Sequence, residues 1–313
     1  MKRSDAVLLV VAVAAVSTSA PLVREAAAPA LAVAFWRTAL ASAVIVPVAS
    51  RGRRSPLHRD EPLTAQRGRR PPLVQDERRA WRLAVLAGLL LAAHFAAWIP
   101  SLSLTTVSAS VALVATQPVW AALLARAVGA RVSSAGWAGI VLALAGVALV
   151  TGLDLGTSGR ALGGDLLALV GGMLAAAYVS VGAAARRSLS TTDYTACCYS
   201  VAAVALLAAC AIGRQPLVGF GVRTWLCLLA ITAGPQLLGH SVFNRLLRAV
   251  GPTVVSVAIL AEIVGAGLLA AWWFGESPPP AIVPAAACIV AGVILVVRTD
   301  VGPTAGAVQA ATA

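Results

Sequence analysis

The chain has 313 residues, of which 59% are hydrophobic and 12% are charged, and its formal charge is +12 at pH 7. Soluble domains average roughly 45 to 50% apolar and about 25% charged residues, so this composition excludes a water-soluble globule. A membrane-spanning helix needs about 20 apolar residues, and the length accommodates ten short-looped spans without a sizeable soluble domain.

Apolar runs closed by Arg, Pro or Gly clusters predict the spans. In chain order they cover residues 6–22, 30–50, 82–101, 106–127, 133–152, 162–185, 193–213, 222–244, 250–274 and 280–297. The first run follows Lys2 and Arg3, as the apolar part of a signal peptide would. Because Pro21, Arg24 and Glu25 stand where a small-residue cleavage site would lie, we predict a span there.

Basic residues occur mainly in alternate loops, so the positive charge is explained without nucleic-acid binding. They are concentrated at the N-terminus, in the loop between spans 2 and 3, and in every second connection after it. The other loops carry only Arg24, Arg160, Arg214 and Arg223. Because cytoplasmic loops collect Lys and Arg, the pattern predicts a multi-pass plasma-membrane protein with both termini in the cytoplasm.

The two halves of the chain match at a constant offset of 146 residues. The matched pairs include Gly88 with Gly234, His94 with His240, Ser110 with Ser256, and Gly146 with Gly292. Each half holds five predicted spans, an odd number, so the second half must cross the membrane in the opposite sense. The predicted fold is all-α and integral to the membrane, with ten transmembrane helices as two inverted five-helix repeats, residues 1–152 and 162–298. A disordered cytoplasmic tail, residues 299–313, follows.

The loop of residues 51–81 contains its own tandem copy. The segment RGRRSPLHRDE (51–61) returns as RGRRPPLVQDE (67–77), with 8 of 11 residues identical. Over residues 51–82 its Arg residues can bind anionic lipid headgroups, at about 1 kcal/mol for each Arg near the surface. The alternative is a disordered topology anchor, because a Pro-rich segment of low apolar content cannot form a core.

Deleting residues 61–76 removes one copy and joins Asp60 to Glu77, which restores the Asp-Glu junction. If the loop is a disordered anchor, we expect wild-type transport, because the removed residues contribute no packing. Transport by vesicles, normalised to inserted protein, measures this. A variant that inserts correctly but fails to transport would contradict the anchor interpretation.

Three stretches share the pattern of a known family: residues 19–42, 108–130 and 234–276. They resemble the EamA-type family of the drug/metabolite transporter superfamily, and the similarity covers nearly the whole chain apart from the duplicated loop and the tail. The resemblance implies two inverted five-helix units and export or exchange of a small metabolite. Two positions depart from the pattern, since Ala130 replaces a Glu after Gly129, and Ile263 replaces a Pro after Glu262. The missing proline predicts a ninth helix less prone to kink.

Glu262 lies at the middle of its predicted span, deeper than any other acidic residue. A charged carboxylate at that depth costs about 2.5 to 3.5 kcal/mol on insertion scales, so it should face the bundle interior or a water-filled cavity. Glu262 is therefore a candidate proton carrier or a counter-ion for a cationic group of the substrate. The structural alternative is a carboxyl group satisfied by a neighbouring helix.

Arg37 is the basic residue that falls inside a predicted span. Its guanidinium can clamp a substrate carboxylate through two hydrogen bonds. It can also extend towards the outer interface or bond helix carbonyls near Pro21. Arg37 and Glu262 together would suit a zwitterion such as an amino acid, or they can pair with each other.

His94 and His240 occupy equivalent positions in the two repeats, and His240 shares a helical face with Asn244. Polar side chains in a span either line the transport path or bond across helices, at ~0.6 kcal/mol on average. His240 and Asn244 are candidates for the path, whereas His94 is better explained as an interhelical donor.

Thr116, Gln117 and Pro118 are predicted to interrupt the fourth span at the repeat equivalent of Glu262. Carbonyl groups freed by Pro118 can coordinate a substrate, although an ordinary proline kink is the commoner case. Trp120 and Tyr178 lie deeper than the interfacial aromatic residues and either line an apolar cavity or pack in the core.

The predicted function is secondary transport of a small metabolite, amino-acid-like or amphiphilic, by alternating access, driven by protons or by exchange. The sequence contains no GxxxxGK[ST] loop, no HExxH and no metal-type cysteine spacing, so neither a cofactor nor a metal is expected. The alternatives are a polytopic membrane enzyme and a membrane scaffold or receptor. A homodimer is left open.

Overall fold

The computed structural model describes residues 3–54, 74–105, 110, 113–151, 158–274 and 281–299. Within these ranges the structure is helical and contains no strand. The helices are α1 (Arg3–Ser17), α2 (Ser19–Glu25), α3 (Ala30–Arg54), α4 (Val74–Leu104), α5 (Gln117–Ala127), α6 (Ser134–Thr151), α7 (Gly159–Ala185), α8 (Thr191–Ile212), α9 (Val222–Ile231), α10 (Ser241–Ile259), α11 (Ala261–Phe274) and α12 (Ile282–Thr299). A π-helix, Thr232–His240, connects α9 to α10.

Six helical stretches are long and apolar enough to cross a membrane. They are Arg3–Glu25, Ala30–Arg51, Asp76–Leu104, Gly159–Ala185, Thr191–Ile212 and Val222–Ile259. Two shorter apolar helices, Ser134–Leu149 and Val283–Arg298, accompany them. The exposed surface of these helices carries many large apolar side chains, for example Val141, Leu166 and Val204. A lipid environment explains this exposure, because no water-soluble domain leaves so many such residues uncovered.

The helices next to the predicted basic loop are longer than the apolar pattern indicated. α3 continues to Arg54, and α4 begins at Val74, so parts of the predicted loop at 51–54 and 74–81 are helical. Asp76 and Glu77 lie in the first turn of α4, where the helix dipole stabilises negative charge. The remainder of the loop, 55–73, and the predicted tail from residue 300 onwards lie outside the described residues.

The repeat-equivalent helices α6 and α12 pack against each other through glycines. A Cβ atom on Gly139 would meet Gly292 O at 2.9 Å, and one on Gly146 would meet Ala285 O at 2.7 Å. The residue number rises along one helix as it falls along the other, so the two helices are antiparallel. The repeat offset relates Gly139 to Ala285 and Gly146 to Gly292. The contact of Gly139 with Gly292 is therefore the repeat equivalent of the contact of Gly146 with Ala285. A two-fold axis passing between α6 and α12 accounts for this symmetry.

Other helix pairs agree with the same relation between the halves. α4 packs along α7, with Trp98 beside Gly171 and Leu104 beside Gly164, so this pair is also antiparallel. The repeat counterpart of this pair is α1 against the π-helix, which meet where Val16 contacts Gly239. Helices α3 and α8, which hold the repeat-equivalent second and seventh predicted spans, also pack against each other. A 2.6 Å hydrogen bond joins the hydroxyls of Ser42 and Ser200.

A bend at Gly251 separates the eighth and ninth predicted spans. Gly251 has φ of 82°, a conformation that L side chains rarely adopt, and Pro252 follows it. Helix α10 therefore contributes its first half to the eighth span and its second half to the ninth.

The predicted fourth and ninth spans are interrupted at nearly equivalent positions. The fourth turns at Ala115 and Thr116 before α5 begins, as the sequence predicted, and the ninth turns at Leu260 between α10 and α11. The missing proline at Ile263 predicts a less kinked ninth helix, and Leu260 keeps right-handed helical dihedrals, φ −59° and ψ −26°, at this turn. The N–H groups of Leu260 and Ile263 donate to carbonyls three residues back, which tightens the chain into 3₁₀ turns without a proline.

Candidate functional site

A buried cavity lies between the two halves of the chain. Its wall comes from α1 and α2, α4, the turn before α5, α7, the π-helix, and both sides of the interruption at Leu260. Its volume is about 70 Å³, which is enough for a few water molecules. Six of the predicted site residues line this cavity: His94, Gln117, Tyr178, His240, Asn244 and Glu262.

Glu262 lines the cavity from the first turn of α11. Within the described residues, neither a hydrogen bond nor an ion pair holds its carboxylate. The N-terminal end of a helix carries partial positive charge, which stabilises an acidic side chain in the first turn. The turn at Leu260 therefore places the Glu262 carboxylate in the first turn of α11, inside the protein.

Arg37 lies beside the cavity but does not line it. The guanidinium is fully buried, its Nε donates to Gln236 Oε1 at 2.9 Å, and its Cζ lies 4.3 Å from the centroid of the Phe95 ring. Both Nη atoms lack an acceptor in the described part of the chain, and Arg37 forms no ion pair with Glu262. The interaction with Phe95 is a cation–π contact, which partly replaces the lost hydration of the guanidinium.

The two repeat-equivalent histidines face the same cavity. His94 Nδ1 lies 2.9 Å from Gly171 O, and its ring stacks on Trp98 with 5.7 Å between centroids. The ring of His240 has edge contacts with Phe95 and Phe243 and has no hydrogen-bond partner among the described residues. The His94–Gly171 contact is the interhelical bond that the sequence favoured for His94, although this residue also lines the cavity.

Asn244 connects the cavity to the loop after α7. Tyr178 donates its hydroxyl to Asn244 Oδ1 at 2.7 Å, and Arg186 Nε donates to the Asn244 carbonyl at 3.2 Å. Arg186 also donates to Leu189 O and, at 2.6 Å, to the Thr191 hydroxyl. Burial, and secondarily repulsion from Arg248, lower the pKa of the Arg186 guanidinium from its ordinary value. These bonds fix the end of α7, the start of α8 and the wall of the cavity in one arrangement.

Gln117 joins the two interrupted spans. Its side-chain amide donates to the Ser256 hydroxyl at 3.0 Å, and Ser256 lies on α10 just before the break at Leu260. Thr116 and Trp120, the other two predicted residues of this region, lie outside the cavity lining. Trp120 donates to the Thr116 hydroxyl within the same turn at 3.0 Å. Thr116 in turn donates to Leu113 O at 2.6 Å, so this pair stabilises the turn before α5.

Three polar residues of the site were missed by the sequence analysis. Ser19 and Trp98 line the cavity, and each has a buried polar atom without a partner in the described residues. Gln236 accepts the bond from Arg37, and its Nε2 likewise has no acceptor there. Ser19 and Trp98 lie near predicted span ends, and Gln236 follows Pro235, so hydropathy gave no reason to choose them.

Antiparallel packing of repeat-equivalent apolar helices around a polar cavity is an architecture of membrane transporters. The EamA-like transporter family model matches residues 4–152 and 162–298. The chain therefore belongs to the EamA-like transporter family, in the drug/metabolite transporter superfamily, and is a multi-pass membrane protein. Members of this family are transporters and not enzymes.

A solved crystal structure has a similar fold, with a TM-score of 0.71 and 21% sequence identity. The alignment covers 94% of this chain and 96% of the other. A search of curated proteins finds no match to this chain.

Proposed function

We propose that the protein is a secondary transporter that exports or exchanges a small metabolite across the plasma membrane by alternating access. The cargo is amino-acid-like or amphiphilic. The observation that carries the proposal is the position of Glu262, whose carboxylate has no hydrogen-bond or ion-pair partner in the described residues and faces a cavity built from both repeats. A carboxylate inside a membrane protein raises the free energy of insertion. Binding of the substrate or of the coupling ion by Glu262 explains why the residue is present.

In the proposed arrangement, ten transmembrane helices form two inverted five-helix repeats with both termini in the cytoplasm. The symmetric contacts of α6 with α12, and the equivalent breaks in the fourth and ninth spans, support the inversion. Cavities at the interface of inverted repeats are the usual substrate sites of such transporters. The cavity volume of about 70 Å³ is too small for a metabolite, so binding requires the repeats to separate.

Rocking of one repeat against the other opens the cavity to each side of the membrane in turn. Close helix packing at Gly139, Gly146 and Gly292 provides smooth contact surfaces between the repeats. On the side of the loop after α7, the bonds of Arg186 to Asn244 and Thr191 must change when the cavity opens there. Ion gradients or exchange supply the energy, because this sequence contains no nucleotide-binding loop.

Metabolite loading of vesicles tests the proposal. Vesicles carrying wild-type protein, Glu262→Gln or Arg37→Gln are loaded with a metabolite extract, and the retained compounds are measured by mass spectrometry. We expect a compound that leaves wild-type vesicles and is retained by Glu262→Gln. Identical retention by wild-type and empty vesicles, with the protein correctly inserted, would contradict the transport function.

The Arg37→Gln arm separates a substrate contact from a structural role. In the structure Arg37 bonds to Gln236 and stacks on Phe95 away from the cavity lining, so we expect the variant to be less stable and to transport the same compounds at a lower rate. Its melting temperature and its cargo spectrum are measured together. A stable variant that selectively loses carboxylate-bearing cargo would instead assign Arg37 to the substrate.

A further inference from the structure

The cavity has one carboxyl side chain among its described lining residues. Glu262 is the one acidic residue among the described residues of its lining, and these include no Lys or Arg. His94 already bonds a backbone carbonyl, and no described residue bonds the Glu262 carboxylate. A ligand that enters the opened cavity therefore meets a carboxylate that no described residue bonds, although the buried Arg37 acts on it through its charge. Electrostatic complementarity favours a ligand that brings a positive charge.

Arg37 is the residue that could receive a substrate carboxylate, but it is separated from the cavity. Phe95 is fully buried and covers the guanidinium, and Gln236 occupies Nε. A carboxylate could reach the buried Nη atoms only after the side chains packed around them move. The cation–π contact with Phe95 contributes roughly 2 kcal/mol when desolvated, so a rearrangement that breaks it would offset part of the energy that a zwitterion gains from the guanidinium.

The helix end at α5 does not offer an alternative anion site. Pro118 has no N–H group, and the N–H group of Val119 donates to Thr116 O at 2.9 Å. The N–H group of Thr116 donates to Leu113 O at 3.2 Å. Most donors that a carboxylate would need at this end are therefore missing or already bonded.

Aromatic rings form much of the remaining wall. His94 and Trp98 have stacked rings 13° from parallel, and Tyr178, His240 and Phe243 also belong to the lining. Aromatic faces attract ammonium groups through their quadrupoles and also bury the apolar body of a ligand. The wall thus suits a cation with an aromatic or other apolar body.

We propose that the site selects monovalent organic amines with an apolar or aromatic body, and discriminates against zwitterions and anions of the same shape. The ammonium group of the ligand pairs with Glu262, and its body lies against the His94–Trp98 stack. This inference rests on the proposed function and narrows its cargo from amino-acid-like or amphiphilic compounds to amines.

Three matched compounds test the selectivity: phenethylamine, phenylalanine and 3-phenylpropanoate. They share the phenyl body and carry, respectively, the amine alone, both groups, and the carboxylate alone. Binding to purified wild-type protein in detergent is measured by calorimetry, and counterflow of the same compounds is measured in proteoliposomes. We expect phenethylamine to bind at least about tenfold more tightly than either other compound, a difference of about 1.4 kcal/mol.

Two variants locate the selectivity. Glu262→Gln should remove the preference for phenethylamine, and Glu25→Gln serves as the matched control, because Glu25 pairs with Arg223 away from the cavity and should keep the preference. Equal or tighter binding of phenylalanine, failure of all three compounds to bind, or an unchanged preference in Glu262→Gln would each overturn the inference. Transport of another cargo without amine binding would leave the proposed function standing. Amine binding without transport of any compound would support the amine selectivity and contradict the proposed transport function.

Discussion

Replacing Glu262 by Gln is expected to reduce transport by roughly 10- to 100-fold while leaving the protein folded. The substitution keeps the shape of the side chain and removes its negative charge. A hydrogen bond to a charged group contributes about 1.5 to 3 kcal/mol, which corresponds to this range of rates. Because no described residue bonds the carboxylate, its removal orphans no partner and should not destabilise the helices.

The pH dependence of transport shows which role Glu262 has. If it carries the coupling proton, Glu262→Gln should retain exchange of labelled substrate but lose its response to a pH gradient. If it pairs only with the substrate, both activities should fall together. Counterflow and gradient-driven uptake in proteoliposomes separate these outcomes. Undiminished transport that still responds to pH would exclude Glu262 as the proton carrier.

Glu25→Gln is the matched control for this experiment. Glu25 forms an ion pair with the largely exposed Arg223 and lies outside the cavity lining. Exposed pairs contribute about 0.2 to 1 kcal/mol, so the control should transport like the wild type. An equal loss in both variants would show that the effect of Glu262→Gln is not specific to the cavity.

Replacing Gly292 by Ala is expected to destabilise the protein by about 1 to 3 kcal/mol, as overpacking of a close-packed contact does. The added Cβ would meet Gly139 O at 2.5 Å and the backbone nitrogen of Ala143 at 2.8 Å. Neither is the flexible end of a side chain, so α6 and α12 would have to move apart. Because this pair lies on the proposed symmetry axis, transport should fall as well.

Gly163→Ala is the matched control, because a Cβ atom at Gly163 meets nothing within 4 Å. Within α7 alanine is also the better helix former, so stability should be unchanged or slightly higher. Melting temperatures of the two purified variants are compared in the same detergent. If Gly292→Ala melts as Gly163→Ala does, the glycine contact is not needed to hold the helices together.

Sequence periodicity predicted much of the helical architecture because a lipid environment leaves few choices for a backbone that must satisfy its own hydrogen bonds. Apolar runs such as 162–185 and 193–213 match α7 and α8 within three residues at each end. The pattern was less accurate at charged ends, where α4 extends back to Val74 through Asp76 and Glu77. Charged residues are compatible with a helix that leaves the bilayer, so hydropathy alone does not locate that end.

The offset of 146 residues showed, from the sequence alone, which helices are related. The odd number of predicted spans in each half showed that the second half is inverted. The sequence also selected Glu262 and the two histidines, because an ionisable residue in an apolar run is costly wherever it occurs. The tertiary structure decided which of the candidates meet. Arg37 is fully buried, bonds to Gln236 and stacks on Phe95 outside the cavity lining, whereas the half-buried Glu262 lines the cavity. Side-chain direction depends on contacts between helices far apart in the chain, and no local pattern encodes those contacts.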